Sequence, residues 1–269
     1  MTAPERPIGI FDSGIGGMTV AHAIRELMPE ESLVYFGDTA HLPYGDKSEA
    51  AIQAYSIKIA DVLLEKGCKV IVIACNSASS SAYELLKEYV GSRTRIVNVI
   101  DPMVDYVSQH FNGRKVGLIG TRRTIDSNVY ARKFSERESD VDLISMATPL
   151  LVPMIEEGFL HNRISSDIIS AYLGDPVFRD IDALILGCTH YPLIRDALDD
   201  FFKGKVQILD SSHITALHVQ ELLTASKLHC QQCQGEDEFF VSDFTESFQA
   251  STRMFFGEKV RLTNYRLWE

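Results

Sequence analysis

Two cysteines set the chemical question. Cys75 lies in ACNS at residues 74–77 and Cys188 in GCTH at residues 187–190, each directly after an apolar, strand-like run, VIVIA before the first and ALILG before the second. A thiolate removes a proton and a thiol delivers one, with nearby donors or positive charge setting the balance. A lone cysteine is more often a small buried hydrophobe, and Cys68, in a helix-to-strand connection, fits that role. Asn76, Ser77, Thr189 and His190 instead surround Cys75 and Cys188 with polar groups. Two groups of near-equivalent chemistry facing one carbon suit stereochemical inversion, in which a proton leaves one face and another arrives at the opposite face.

The surrounding pattern supplies elements that could hold two such groups. IGIF at 8–11, LVYF at 33–36 and VIVIA at 70–74 alternate with helical spacing at 18–27 and 50–66, with Pro29 and Gly67 as terminators. A second series follows at VGLIG (116–120), VDLIS (141–145), ALILG (183–187) and VQIL (206–209). Pairing Ile10 with Leu118, Leu33 with Leu143, Cys75 with Cys188 and Asp101 with Asp210 gives offsets of 108, 110, 113 and 109 residues, the near-constant spacing of a duplicated unit. The fold expected is α/β, with two similar lobes of mainly parallel sheet flanked by helices. In open parallel sheets ligands bind at the carboxyl ends of strands, so each thiol would face a shared cleft.

Composition narrows the function. The chain has 269 residues, 45% of them hydrophobic, which suffices for a substantial core. Acidic residues outnumber basic ones 37 to 26 without a Lys/Arg stripe, which argues against nucleic acid as the primary ligand. Apolar runs stop short of membrane-spanning length and no secretory signal precedes DSG, so a soluble cytoplasmic protein without a long regulatory amino-terminal extension is expected. Five cysteines, an odd number, argue against a disulfide framework. Cys230 and Cys233 form CxxC beside His229, but no second pair completes a four-ligand metal site, and a local surface feature is expected instead. The acidic stretch 236–238 suggests a solvated loop, residues 239–241 the start of a final element, and Phe244, Phe248, Phe255 and Phe256 core-facing helix positions.

Five segments in order, FDSGIGG (11–17), GDTAHLPYG (37–45), ACNSAS (74–79), PLLVPMIEEG (149–158) and LGCTHYP (186–192), give the chain a resemblance to the glutamate racemase family within the cofactor-independent aspartate/glutamate racemases. The resemblance runs through nearly the whole sequence. It implies that Cys75 and Cys188 alternate as proton donor and acceptor, without pyridoxal phosphate or metal. It further implies that Asp12, Glu156 and His190 assist them, Asp12 on the Cys75 side and His190 on the Cys188 side. Glutamate would be held by Asp12, Ser13, Tyr44, Gly45, Asn76, Ser77, Thr189 and His190, where amides and hydroxyls suit a carboxylate and an acid suits an ammonium. The implied lobes are 1–100 with 213–269, and 101–212. The implied product, D-glutamate, supplies peptidoglycan synthesis, and relatives often form homodimers. Ser77 stands where threonine is commoner, and Thr148 where many relatives carry cysteine.

Other chemistries fit less well. DSGIGG fails the dinucleotide fingerprint because Thr19 takes the place of its third glycine, and it lacks the ending of a P-loop. A cysteine phosphatase or hydrolase would leave one thiol unexplained and lacks a nearby arginine at Cys75. A binding protein without activity would not need both thiols. Aspartate racemase is the nearest rival, since the chemistry at the α-carbon is the same.

Overall fold

The computed structural model describes residues 3–230, 235–244 and 262–268. Its strands are β1 (Ile8–Asp12), β2 (Leu33–Gly37), β3 (Val70–Ile73), β4 (Arg95–Asn98), β5 (Lys115–Gly120), β6 (Asp142–Ala147), β7 (Ala183–Gly187), β8 (Gln207–Asp210), β9 (Glu238–Val241) and β10 (Leu262–Asn264). The helices that pack on them are α1 (Met18–Leu27), α2 (Glu49–Glu65), α3 (Asn76–Val90), α4 (Ile100–His110), α5 (Arg122–Asp126), α6 (Val129–Glu136), α7 (Leu151–Glu156), α8 (Arg163–Leu173), α9 (Arg195–Phe202) and α10 (Ser211–Ala225). Among these described residues, no helix is long and apolar enough to cross a membrane.

Among the described residues two sheets form, ordered β10-β9-β2-β1-β3-β4 and β6-β5-β7-β8, and every pairing is parallel. The order β2-β1-β3-β4 in the first recurs as β6-β5-β7-β8 in the second, which is the expected duplication. The register reproduces three of the sequence pairings and corrects the fourth. Ile73 lies beside Asn98 and Leu186 beside Asp210, so Asp210 corresponds to Asn98 rather than Asp101. Both residues end a strand and cap the following helix: Asn98 Oδ1 accepts from the Ile100 and Asp101 amides, and Asp210 Oδ1 from Ser212. Asp101 sits inside α4 and pairs with Lys133 and Arg137. The short β4 escapes a hydrophobicity reading because only Val97 and Asn98 of its four residues are buried.

Strands covered on both faces alternate between two cores. Ile8, Ile10, Val70 and Val72 point toward α1, α4, α6 and α10, as do Val116, Leu118, Ala183 and Ile185 from the second sheet, so one apolar layer is shared by both sheets. Phe11, Ile71 and Ile73 face outward onto α2 and α3. Ile119, Leu184 and Leu186 face outward onto α7, α8 and α9. Helices sandwiched between the sheets fix the relative placement of their carboxyl ends.

The chain returns to the first sheet after the second is complete. The stretch 236–238 is a solvated loop only at Glu236, which is exposed and outside any element. Asp237 caps β2 by accepting from Leu33 N at 2.9 Å and pairs with Arg25, while Glu238 opens β9 and pairs with Lys66. Phe244 is 42% exposed and outside any helix, and Phe248, Phe255 and Phe256 lie outside the described residues. At the amino ends of the strands, the Lys69 ammonium donates to Glu31 and to the Pro4 and Leu228 carbonyls, and the other Glu31 oxygen accepts from Cys230 N. Both charged side chains are almost wholly buried. Replacing Lys69 with methionine would strand the Glu31 carboxylate without its cation, and a loss of about 3–5 kcal/mol in urea unfolding is expected; an unchanged midpoint would show that this pair does not anchor the returning segment.

Candidate active site

In each sheet the chain passes to one side of the first strand and then to the other, leaving a crevice at the carboxyl ends, between β1 and β3 and between β5 and β7. The two crevices face one another. Their strand-end residues line a narrow pocket of about 280 Å³ of empty space, bounded by Ser13, Tyr44, Gly45, Cys75, Asn76, Ser77, Cys188, Thr189 and His190, together with Pro43, Thr121 and Val152. The halves meet closely because two glycines leave room. A Cβ on Gly16 would lie 2.5 Å from Thr189 Oγ1, and one on Gly45 would lie 2.7 Å from Thr121 Cβ. Of the glycines of DSGIGG, Gly16 therefore serves lobe-to-lobe contact, whereas Gly14 and Gly17 make room for Leu42 and Asp12 of their own half.

Cys75 caps α3, its sulfur accepting from Ala78 N at 3.4 Å and lying 3.8 Å from Ser13 Oγ. Burial, and next the negative charge of Asp12, push its thiol well up, against the lowering effect of the α3 amide. Asp12 is itself fully buried. Its Oδ2 accepts from Gly14 N and Gly17 N at 3.1 and 2.9 Å, and its Oδ1 from the Thr189 hydroxyl of the opposite half at 3.4 Å.

The surroundings of Cys188 have the opposite sign. Its sulfur lies 3.8 Å from His190 Nδ1, and His190 Nε2 lies 3.1 Å from Glu156 Oε1, an ion pair without hydrogen-bond geometry. Burial disfavours the charged ring, but Cys188 and then Glu156 outweigh it and raise the imidazole to about 10. Tyr191, held by Thr148 Oγ1 at 2.7 Å, closes the wall behind Cys188. The hydroxyl that Thr148 brings in place of a thiol is therefore used in packing this wall.

All of the residues singled out in the sequence converge here, with Asp12 and Glu156 directly behind the lining. Thr121, Val152, Pro43 and Asp38 were not among them. Thr121 follows β5 as Ser13 follows β1, so the duplication itself pointed to it. Its hydroxyl lies 2.9 Å from Ser77 Oγ. Asp38 is buried inside the GDTAHLPYG segment and accepts from Tyr44 OH at 2.7 Å, Ser242 Oγ at 2.7 Å and Trp268 Nε1 at 2.8 Å. Two of these donors come from the far end of the sequence, so local pattern could not reveal the contact.

The sequence profile of the Asp/Glu/Hydantoin racemase family matches residues 18–219. The chain belongs to this family. It is 40% identical over 261 residues to the glutamate racemase of Thermus thermophilus, covering 97% of this chain and 96% of that protein. To the glutamate racemase of Chlorobium phaeobacteroides it is 38% identical over 253 residues, 94% and 93% of the two chains. The crystal structure of glutamate racemase from Francisella tularensis in complex with D-glutamate superposes with a TM-score of 0.91 at 34% identity, covering 98% of this chain and 99% of that one.

Among the described residues, the other cysteines of this racemase-family chain, Cys68 and Cys230, do not line the pocket. Cys68 packs under β1, and burial followed by the charge of Glu238 pushes its thiol up to about 12, which suits an inert core residue. Cys230 is buried and disulfide-bonded, which corrects the expectation of a surface feature without disulfides, while Cys233 lies outside the described residues. The elevated His190 value has a measurable consequence. An imidazole that titrates at 6.5 when unfolded and at about 10 when folded contributes its full stabilisation below the lower value, declines above it, and contributes nothing beyond the upper one. Unfolding midpoints of the wild type and His190→Gln are expected to differ most at neutral pH and below, and to converge toward alkaline pH. A gap independent of pH would show that folding does not shift the His190 titration, and a wild-type advantage that shrank toward acid pH would show a ring kept neutral in the folded protein.

Proposed function

We propose that the chain is a glutamate racemase that interconverts L- and D-glutamate by proton transfer at Cys75 and Cys188, and the observation that carries this is two buried thiols from equivalent strand ends facing one pocket with helpers of opposite charge. In one direction a thiolate takes the α-proton, breaking the Cα–H bond and forming S–H, while the opposite thiol gives its proton to the other face of Cα and becomes the thiolate. The protonation states are then exchanged, and the reverse reaction uses the thiols in opposite roles.

The helpers fit this exchange. His190, charged and paired with Glu156, sets a positive ring beside Cys188 and supports negative charge on that sulfur. Asp12, a carboxylate beside Cys75, keeps that thiol protonated as the acid and offers a base when it must act in the other direction. An α-proton beside a full carboxylate is very weakly acidic, because the carbanion adds negative charge next to an existing one. Donors fixed around the substrate before reaction offset that charge without reorganising. Asn76, Ser77, Thr189 and the amino end of α3 supply such donors, Asp12 suits the ammonium, and Ser13, Tyr44 and Gly45 complete the wall.

The same reading takes residues 1–100 with 213–269 as one lobe and 101–212 as the other, supported by the joining of β9 and β10 to the first sheet. It makes D-glutamate for peptidoglycan synthesis the product, the cytoplasm the location and a homodimer the assembly. Purified protein incubated with L-glutamate in deuterated water, with no cofactor added, is expected to lose optical activity and to incorporate α-deuterium. Cys75→Ser and Cys188→Ser are each expected to slow inversion by about 10²–10⁴. Binding of glutamate without exchange or inversion would overturn the reading, and faster turnover of L-aspartate would move the substrate.

A further inference from the structure

Asn76 presents a puzzle of hydrogen bonding. The residue is 2% exposed and lines the pocket, its Oδ1 accepts from Tyr130 OH at 2.8 Å, and its Nδ2 has no partner in the protein. Leaving a buried amide N–H unpaired is costly, so the site is incomplete until something supplies an acceptor.

Tyr130 decides which end of the amide faces the pocket. It comes from α6 of the other half and is packed within the apolar layer between the sheets. Burial, then the charges of Asp101 and Cys188, push its phenol well up, so it keeps its proton and acts as a donor. A donor behind Asn76 fixes Oδ1 toward Tyr130 and Nδ2 toward the ligand. With the amide reversed, the phenol proton would lose its acceptor and Oδ1 would confront the substrate, repelling any carboxylate there. The neighbouring Ser77 is held from the same half through Thr121, and both residues open α3, whose free amides also favour an anion.

We propose that Tyr130 is a positioning residue for glutamate recognition: by holding Oδ1 of Asn76 across the interface, it dedicates the Asn76 Nδ2 to a carboxylate of the substrate. The inference rests on the racemase reading and adds to it a residue that touches neither the substrate nor the thiols. It also links recognition to the seating of one half against the other, because donor and acceptor come from helices of different halves.

The test compares glutamate racemisation by the wild type, Tyr130→Phe, Asn76→Ala, the double variant and Asn76→Asp, with thermal unfolding of each. Tyr130→Phe is expected to raise KM for glutamate about tenfold while changing kcat by less than about threefold. In the Asn76→Ala background the same change is expected to add nothing, since the amide it orients is gone. Asn76→Asp places a carboxylate oxygen where Nδ2 stood and is expected to bind glutamate more weakly than Asn76→Ala; this comparison decides the matter if Tyr130→Phe fails to fold. An unchanged KM in Tyr130→Phe, a fall confined to kcat, an equal KM effect with and without Asn76, or binding by Asn76→Asp no weaker than by Asn76→Ala would each overturn the inference. A wild type that does not turn over glutamate would instead sink the racemase reading beneath it.

Discussion

Asp12, Cys75, Cys188 and His190 are each at most 7% exposed, yet all four are groups whose work depends on charge. Burying them together between two strand-end turns is the constraint from which the site takes its properties. Charge inside such a cleft is stabilised by few neighbours, so each neighbour matters more than it would in water. The two backbone amides on Asp12 and the Glu156 carboxylate beside His190 keep one group negative and the other positive. Burial and the Asp12 charge hold the Cys75 thiol protonated, while Cys188 lies beside a cationic ring.

Duplication explains the placement and divergence explains the chemistry. The register makes Phe11 the counterpart of Ile119 and Ile73 that of Leu186, so Cys75 matches Cys188 on equivalent turns. The residues beside them do not match in kind. Asp12 corresponds to Gly120, and Ser77 corresponds to His190. A symmetric backbone therefore brings a thiol from each half to one pocket, while the side chains around those thiols differ in sign.

The contacts that join the halves also bear on the site. Thr189 reaches Asp12, Thr121 reaches Ser77 and Tyr130 reaches Asn76, each from the second half to the first. Glycine at positions 16 and 45 permits this proximity, since a side chain at either would occupy the space of its partner. A change in the packing of the shared apolar layer would thus be felt as a change in the orientation of the groups that line the pocket.

Much of this was legible in the amino-acid sequence. Strands buried on both faces read as continuous apolar runs, so β1, β2, β3, β5 and β7 stood out, the edge strands β6 and β8 showed through shorter apolar stretches, and the polar residues after β3 and β7 marked the thiols as more than core filling. The β4 edge strand was hidden by its exposed residues, and spacing paired Asp210 with Asp101 rather than Asn98 because the sequence shows an acidic residue after an apolar run but not which helix turn it occupies. The sequence by itself determined the duplicated α/β halves, the two thiols at equivalent turns and the polar residues beside them, because strand periodicity and turn position are local properties. Only the tertiary structure decided that Glu156 meets His190, that Trp268 and Ser242 meet Asp38 behind Tyr44, and that Tyr130 turns the Asn76 amide toward the pocket. Those pairings join residues far apart along the chain, and their geometry exists only once both sheets have packed on their common helical layer.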